Sequence, residues 1–236
     1  MKVTGSTALV TGANRGIGRA VVEELLARGA TKVYAAARRP ELVDVPGVVP
    51  LRLDITDDDQ VLAAAAAAPD VTLLVNNAGI ALPGAVTAGD LEPLRRELDT
   101  HLWGTLSVVR AFAPALRANG GGAISNVLSA MSWFTIPGMS GYHISKAAAW
   151  AMTNGIRLEL ADQGTLVSAV HIGAVDTDFS AHYDGHKIPA ADVANALLDG
   201  IEAGTTEVLV DDWTRAVKAA LPQDATAYAV AALAGG

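Results

Sequence analysis

A chain of 236 residues, 51% apolar and 18% charged, can enclose a large core, and α/β folds of this length often form a single domain. Its formal net charge of −8 argues against a nucleic-acid partner or docking on anionic lipid, both of which need a basic face. The absence of cysteine removes disulfides, thiolate catalysis and cysteine metal sites, and no metal is expected. The first ten residues lack a basic segment followed by an apolar one, and no uninterrupted apolar run reaches about 18 residues, so neither a signal peptide nor a membrane span is expected. A cytoplasmic protein is the expectation.

In chain order, residues 7–11 read as a buried strand and 17–28 as a helix that Gly29 stops. Strands follow at 32–37 and 48–53. Residues 57–68, with a six-alanine run, read as a helix because alanine is the strongest helix former. A fourth strand at 71–75 is almost wholly apolar, as a parallel strand covered on both faces should be. Residues 91–116 form a long helical stretch interrupted near Gly104 and Pro114. A fifth strand spans 123–128, a helix 142–161, a sixth strand 166–172, a helix 190–203 and a last strand 207–210. This alternation predicts one Rossmann-type α/β domain over residues 1–236, a doubly wound parallel sheet of about seven strands with helices on both faces. The apolar tail 225–236, which ends in glycines, receives no assignment.

Between the first strand and the first helix lies Thr11-Gly12-Ala13-Asn14-Arg15-Gly16-Ile17-Gly18. Glycines let a backbone turn tightly and approach a pyrophosphate, and the helix start then offers free N–H groups and a positive dipole end. No Lys-Ser/Thr pair follows Gly18, so this is not a nucleoside-triphosphate loop. About 20 residues further on, an acid would bind the 2′-hydroxyl of NAD. The sequence has Ala37-Arg38-Arg39 there, and Arg15 lies in the turn. Guanidinium groups favour a 2′-phosphate, so NADP(H) is the expected cofactor.

Tyr142 and Lys146 are four residues apart at the start of a predicted helix, which puts them on one face. A phenol near its reference pKa of about 10 is a weak acid at neutral pH, and a nearby ammonium lowers that value. Ser129 ends the fifth predicted strand, where open α/β sheets place ligands, and its hydroxyl can donate to a developing oxyanion. Ser132 competes for that role.

These segments together resemble the short-chain dehydrogenase/reductase family. The match runs through Gly12, Gly16, Ile17 and Gly18, then Asn76-Asn77-Ala78-Gly79, Ser129, Tyr142, Lys146 and the stretch from Gly173 to Thr177, in order, over about 170 residues. The resemblance implies that Tyr142 is the general acid/base, that Ser129 orients a substrate carbonyl, and that Lys146 binds the nicotinamide ribose and lowers the Tyr142 pKa. It places Asn14, Arg15, Arg38, Asp54, Ile55, Asn77, Ala78 and Gly79 along the adenosine side of the cofactor. Gly173, Val175 and Thr177 go to its carboxamide end. Read from residues alone, Asp54 is equally a helix-start carboxylate. The chain departs from the family at two positions. His101 stands where the family usually has an asparagine whose backbone carbonyl supports a proton relay; a histidine keeps that carbonyl, and the resemblance makes His101 a candidate fourth catalytic residue. Ile172 stands where a proline often precedes the glycine. Family members often pair two of their helices into dimers or tetramers. The alanines at 147–149 and 151 suit such packing, or packing on the sheet.

The segments after the fifth and sixth strands offer Trp133, Phe134 and His143, then Ala174 and Phe179, as substrate contacts. Trp133 and Phe134 are equally candidates for core packing. An apolar, aromatic lining suits a small-molecule ketone or aldehyde. The expected reaction is NADPH-dependent carbonyl reduction. The alternatives are an alcohol dehydrogenase running oxidatively and a non-catalytic NADP-binding sensor.

Overall fold

The computed structural model describes residues 1–222, so the tail at 225–236 lies outside the described residues. Strands β1 (Thr7–Thr11), β2 (Lys32–Ala37), β3 (Val49–Arg52), β4 (Leu73–Asn76), β5 (Ala123–Val127), β6 (Leu166–His171) and β7 (Glu207–Leu209) make one parallel sheet. Their spatial order is β3-β2-β1-β4-β5-β6-β7. The register sets Val10 of β1 between Ala35 of β2 and Val75 of β4.

Helices α1 (Gly16–Ala27), α2 (Asp58–Ala67), α3 (Glu92–Leu98), α4 (Thr105–Ala118), α5 (Ser140–Glu159), α6 (Ala190–Ala203) and α7 (Asp212–Ala220) complete the domain. Alternate strand residues feed two separate cores. Ala8, Val10, Val33 and Val75 meet α1 and α6 through Val21, Leu25, Leu197 and Ile201. Leu9, Ala36, Leu74 and Ile124 meet α2, α4 and α5 through Val61, Phe112, Leu116 and Ile156. Period-two alternation thus buries both faces of the sheet, which is why its central strands read as continuous apolar runs.

The chain winds outward in both directions from β1 and β4, so the carboxyl ends of these two strands diverge into a crevice. The long helical stretch predicted at 91–116 is interrupted at one place, not two. Residues Asp99–Gly104 form a π-helical turn between α3 and α4. A Cβ at residue 104 would stand 2.9 Å from the Ile55 carbonyl oxygen, so the close crossing requires glycine. Pro114 does not break α4. Its missing N–H costs roughly 3 kcal/mol in a helix interior, and the full burial of Phe112 and Leu116 on either side offsets that loss. Helix α7 was not predicted. Asp211 caps it, accepting from the Thr214 amide at 2.7 Å.

Candidate active site

The carboxyl ends of the strands open on a cleft of about 1980 Å³. At its floor the glycine turn leaves β1 with positive φ at Gly12 (67°) and Gly16 (55°). A Cβ at residue 18 would overlap the Gly12 carbonyl oxygen. The turn is pinned from β4. Thr11 Oγ1 accepts from the amides of Asn77 and Ala78, both at 3.0 Å, and Asn77 Nδ2 donates to the Thr11 and Gly12 carbonyls. Behind it, Asn76 Nδ2 donates to Asn126 Oδ1 at 2.8 Å, which ties β4 to β5. Thr177 closes over the turn, its Cγ2 3.3 Å from where a Cβ of residue 16 would sit.

The remaining cofactor-side residues line the same cleft. Arg38 is exposed just past β2 and makes no ion pair among the described residues. Arg15 reaches Asp178 at 3.3 Å across the cleft, with both side chains exposed. Asp54 Oδ1 accepts from the Thr56 amide and hydroxyl, so it caps its own turn beside the cleft. Ile55 and Val175 are buried in the wall. Gly173 is held by its amide on Asp211 Oδ2 at 2.8 Å.

Ser129, Tyr142 and Lys146 converge on the cleft, all nearly buried. Helix α5 begins at Ser140, two residues earlier than the predicted start, and this sets Tyr142 and Lys146 one turn apart on its inner face. Lys146 Nζ donates to the Val127 carbonyl at 3.1 Å and lies 5.7 Å from the Tyr142 ring centre. Ser129 Oγ accepts from the Met131 amide at 3.1 Å. Burial lowers the Lys146 pKa to about 8, against an upward pull from Glu97. Burial also pushes the Tyr142 phenol above its usual range. The Ser129 hydroxyl opposes that rise and Glu97 adds to it. In the chain alone, burial thus leaves Tyr142 raised, where a lowering by Lys146 was expected.

His101 sits in the π-helical turn, 2% exposed, with its ring edge-on to Tyr142 at 5.6 Å. Nε2 accepts from the Ile80 amide at 3.1 Å, so the ring proton belongs on Nδ1, which faces Ser145 Oγ at 2.8 Å. Ser145 Oγ in turn donates to the Tyr142 carbonyl. Burial, with Lys146 nearby, holds the His101 pKa well below the usual histidine range. The ring is thus a neutral strut between the Ile80 segment and the first turns of α5.

Three of the five expected substrate contacts, Phe134, Ala174 and Phe179, line the cleft, and Phe179 stands 6.1 Å from the Tyr142 ring. Two do not. His143 is 1% exposed because its ring is turned into the loop, where Nε2 accepts from the Ile136 amide. Trp133 stacks on His171 at 4.0 Å, under the Lys218 ammonium, which draws it away from the cleft. Sequence reading missed Trp213 and Asp211 of the α7 region, both of which line the cleft, and the fully buried Glu97. The Asp-x-x-Thr spacing at 211–214 was the available signal for α7. Nothing local marked Glu97. Among the described residues, no group of three or more His, Asp or Glu side chains could hold a metal, and no helix is long and apolar enough to cross a membrane.

The chain belongs to the short-chain dehydrogenase family of oxidoreductases, whose model matches residues 6–187. A short-chain dehydrogenase from Burkholderia cenocepacia J2315, solved in complex with NADP, is 41% identical, with 99% of each chain covered and a TM-score of 0.93. An oxidoreductase of Staphylococcus saprophyticus is 28% identical over 218 residues, 86% of this chain and 93% of its own. The 3-amino-tetrahydro-pyrrolizinone reductase of Xenorhabdus hominickii is 33% identical over 183 residues, 74% of this chain and 63% of its own.

Proposed function

We propose that the protein reduces an apolar ketone or aldehyde to its alcohol with NADPH, using Tyr142 as the acid. The carrying observation is that Ser129, Tyr142 and Lys146 meet, nearly buried, in one cleft with the glycine turn. The residues suit the cofactor. Side chains at 12 and 18 would run into Ala78, Asn77 and the Gly12 carbonyl, so the tight turn that brings the backbone to the cleft needs glycine at both, and α1 starts there at Gly16 with its first amides free for an anion. At the end of β2, Arg38 and Arg39 replace the acid that would repel a 2′-phosphate. The Burkholderia relative, which binds NADP, supports the same choice.

When bound, NADPH supplies the hydride to the carbonyl carbon. The Tyr142 phenol, kept protonated by its burial, gives its proton to the carbonyl oxygen, and the Ser129 hydroxyl donates a hydrogen bond to that oxygen as charge develops. Lys146 holds the ribose end and supplies the nearby positive charge as the phenolate forms. Phe134, Phe179 and Trp213 give the open end of the cleft an aromatic lining, which favours an apolar substrate. The same groups serve the reverse oxidation.

The test is NADPH consumption with a panel of aromatic, aliphatic and acidic ketones. Apolar aromatic ketones should give the highest kcat/KM. Tight NADPH binding with no turnover of any carbonyl would instead favour a sensor. Arg38→Ala should weaken NADPH by roughly 10- to 100-fold, the worth of a charge-assisted hydrogen bond, and leave NADH nearly unchanged. Equal effects on both cofactors would remove Arg38 from the 2′-phosphate.

A further inference from the structure

Glu97 is fully buried near the end of α3 and has no part in the chemistry above. Its Oε1 accepts from the Leu82 amide at 2.8 Å. Its Oε2 is enclosed with no hydrogen-bond partner among the described residues and lies against Gly141, where a Cβ would collide with it. Gly141 is the second residue of the 20-residue helix α5. The carboxyl group therefore abuts a helix start, where free N–H groups and the positive dipole end favour an anion. Tyr142 is the next residue, and Lys146 follows one turn on. A glutamine would satisfy Leu82 equally well, so that hydrogen bond alone does not account for a buried acid.

We propose that Glu97 is a positioning residue for the Tyr142–Lys146 pair, a buried anion that seats the first turn of α5 and acts by its charge on Lys146. This rests on the reading of Tyr142 and Lys146 given above. Among the described residues, α3 packs chiefly on α5 and on the π-helical turn. From α5 come Tyr142 and Lys146. The π-helical turn brings His101, whose hydrogen bonds mark it as neutral. Segment 80–84 brings only the Leu82 amide, with no titratable side chain. Burial raises the Glu97 pKa, while the Leu82 amide and Lys146 favour its ionised form. In return Glu97 pulls up the Lys146 pKa, against the larger lowering by burial, and adds to the rise of Tyr142.

The sign of the test follows. The Lys146 ammonium is lost as pH rises through about 8, and ribose binding weakens with it. Glu97→Gln keeps the size and an acceptor for Leu82 but removes the charge. In the full-length protein, NADPH affinity is read by nicotinamide fluorescence across this pH range, with the kcat/KM profile beside it. The alkaline limb of binding should move down by about one pH unit in Glu97→Gln. The alkaline limb of carbonyl reduction should move the same way, because the Tyr142 proton leaves more easily. A lower melting temperature with both limbs unmoved would mean a purely structural role and overturn the proposal. Should Glu97→Gln not fold, Glu97→Asp decides, because it withdraws the carboxylate by one methylene. A smaller downward step then supports the proposal, and an unmoved limb overturns it. Tyr142→Phe separates the two readings. Full turnover in that variant would sink the acid role of Tyr142, while the binding limb, which needs no turnover, still judges Glu97.

Discussion

Tyr142→Phe should lower kcat by roughly 10²- to 10⁴-fold, the usual worth of a positioned general acid, and leave NADPH affinity within about threefold, since the lost hydroxyl is spent on the substrate oxygen rather than the cofactor. The ring itself is structural. It is 8% exposed, meets His101 edge-on at 5.6 Å and lies 6.1 Å from Phe179. Phenylalanine keeps those contacts and removes only a hydroxyl, a loss on the order of 1 kcal/mol. Thermal unfolding should therefore scarcely change, and the loss should fall on turnover. Stopped-flow reduction separates the two quantities. Retention of full kcat would take the proton donor away from Tyr142. A large loss of NADPH affinity would show that the ring had moved.

Gly18→Ala should remove cofactor binding by at least about 100-fold and lower stability by roughly 1–3 kcal/mol, the range for an added methyl group in a tightly packed site. The cause is geometric. The new Cβ would overlap the Gly12 carbonyl oxygen and approach Asn77 Nδ2 to 2.6 Å. Neither neighbour can yield cheaply. Gly12 is backbone with φ of 67°, and Asn77 Nδ2 is held by the Thr11 and Gly12 carbonyls. Relief requires α1 to move off the turn, which takes its free amides away from where a pyrophosphate would bind. Isothermal titration with NADPH and a thermal melt check both parts. Wild-type affinity in this variant would mean the turn does not cradle phosphate. Gly155 offers a control, because a Cβ there meets nothing within 4 Å among the described residues. Gly155→Ala on α5 should stabilise slightly through helix propensity.

His101 shows how far a substitution can be read from sequence. The sequence identified the departure from asparagine and its neighbourhood. It could not say that both ring nitrogens are occupied, by Ile80 on one side and Ser145 on the other. Those partners lie 21 and 44 residues away and meet only through the fold. The same limit explains Trp133 and His143. An aromatic side chain after a strand end suits either a cleft or a core. The choice fell to His171, Lys218 and the Ile136 amide, which take these rings to the inner side of the loop.

The sequence by itself determined the alternation of strands and helices, the parallel sheet and the phosphate-type turn. It also determined the pairing of Tyr142 with Lys146 on one helix face. Each depends on spacing along the chain, with periods of two and 3.6 and glycines where the backbone must turn. Only the tertiary structure decided the charge around that pair. Burial pushes Tyr142 up and Lys146 down to about 8, and Glu97 works on both from another helix. Desolvation and charge act through space, between groups that folding brings together, so no local pattern carries them.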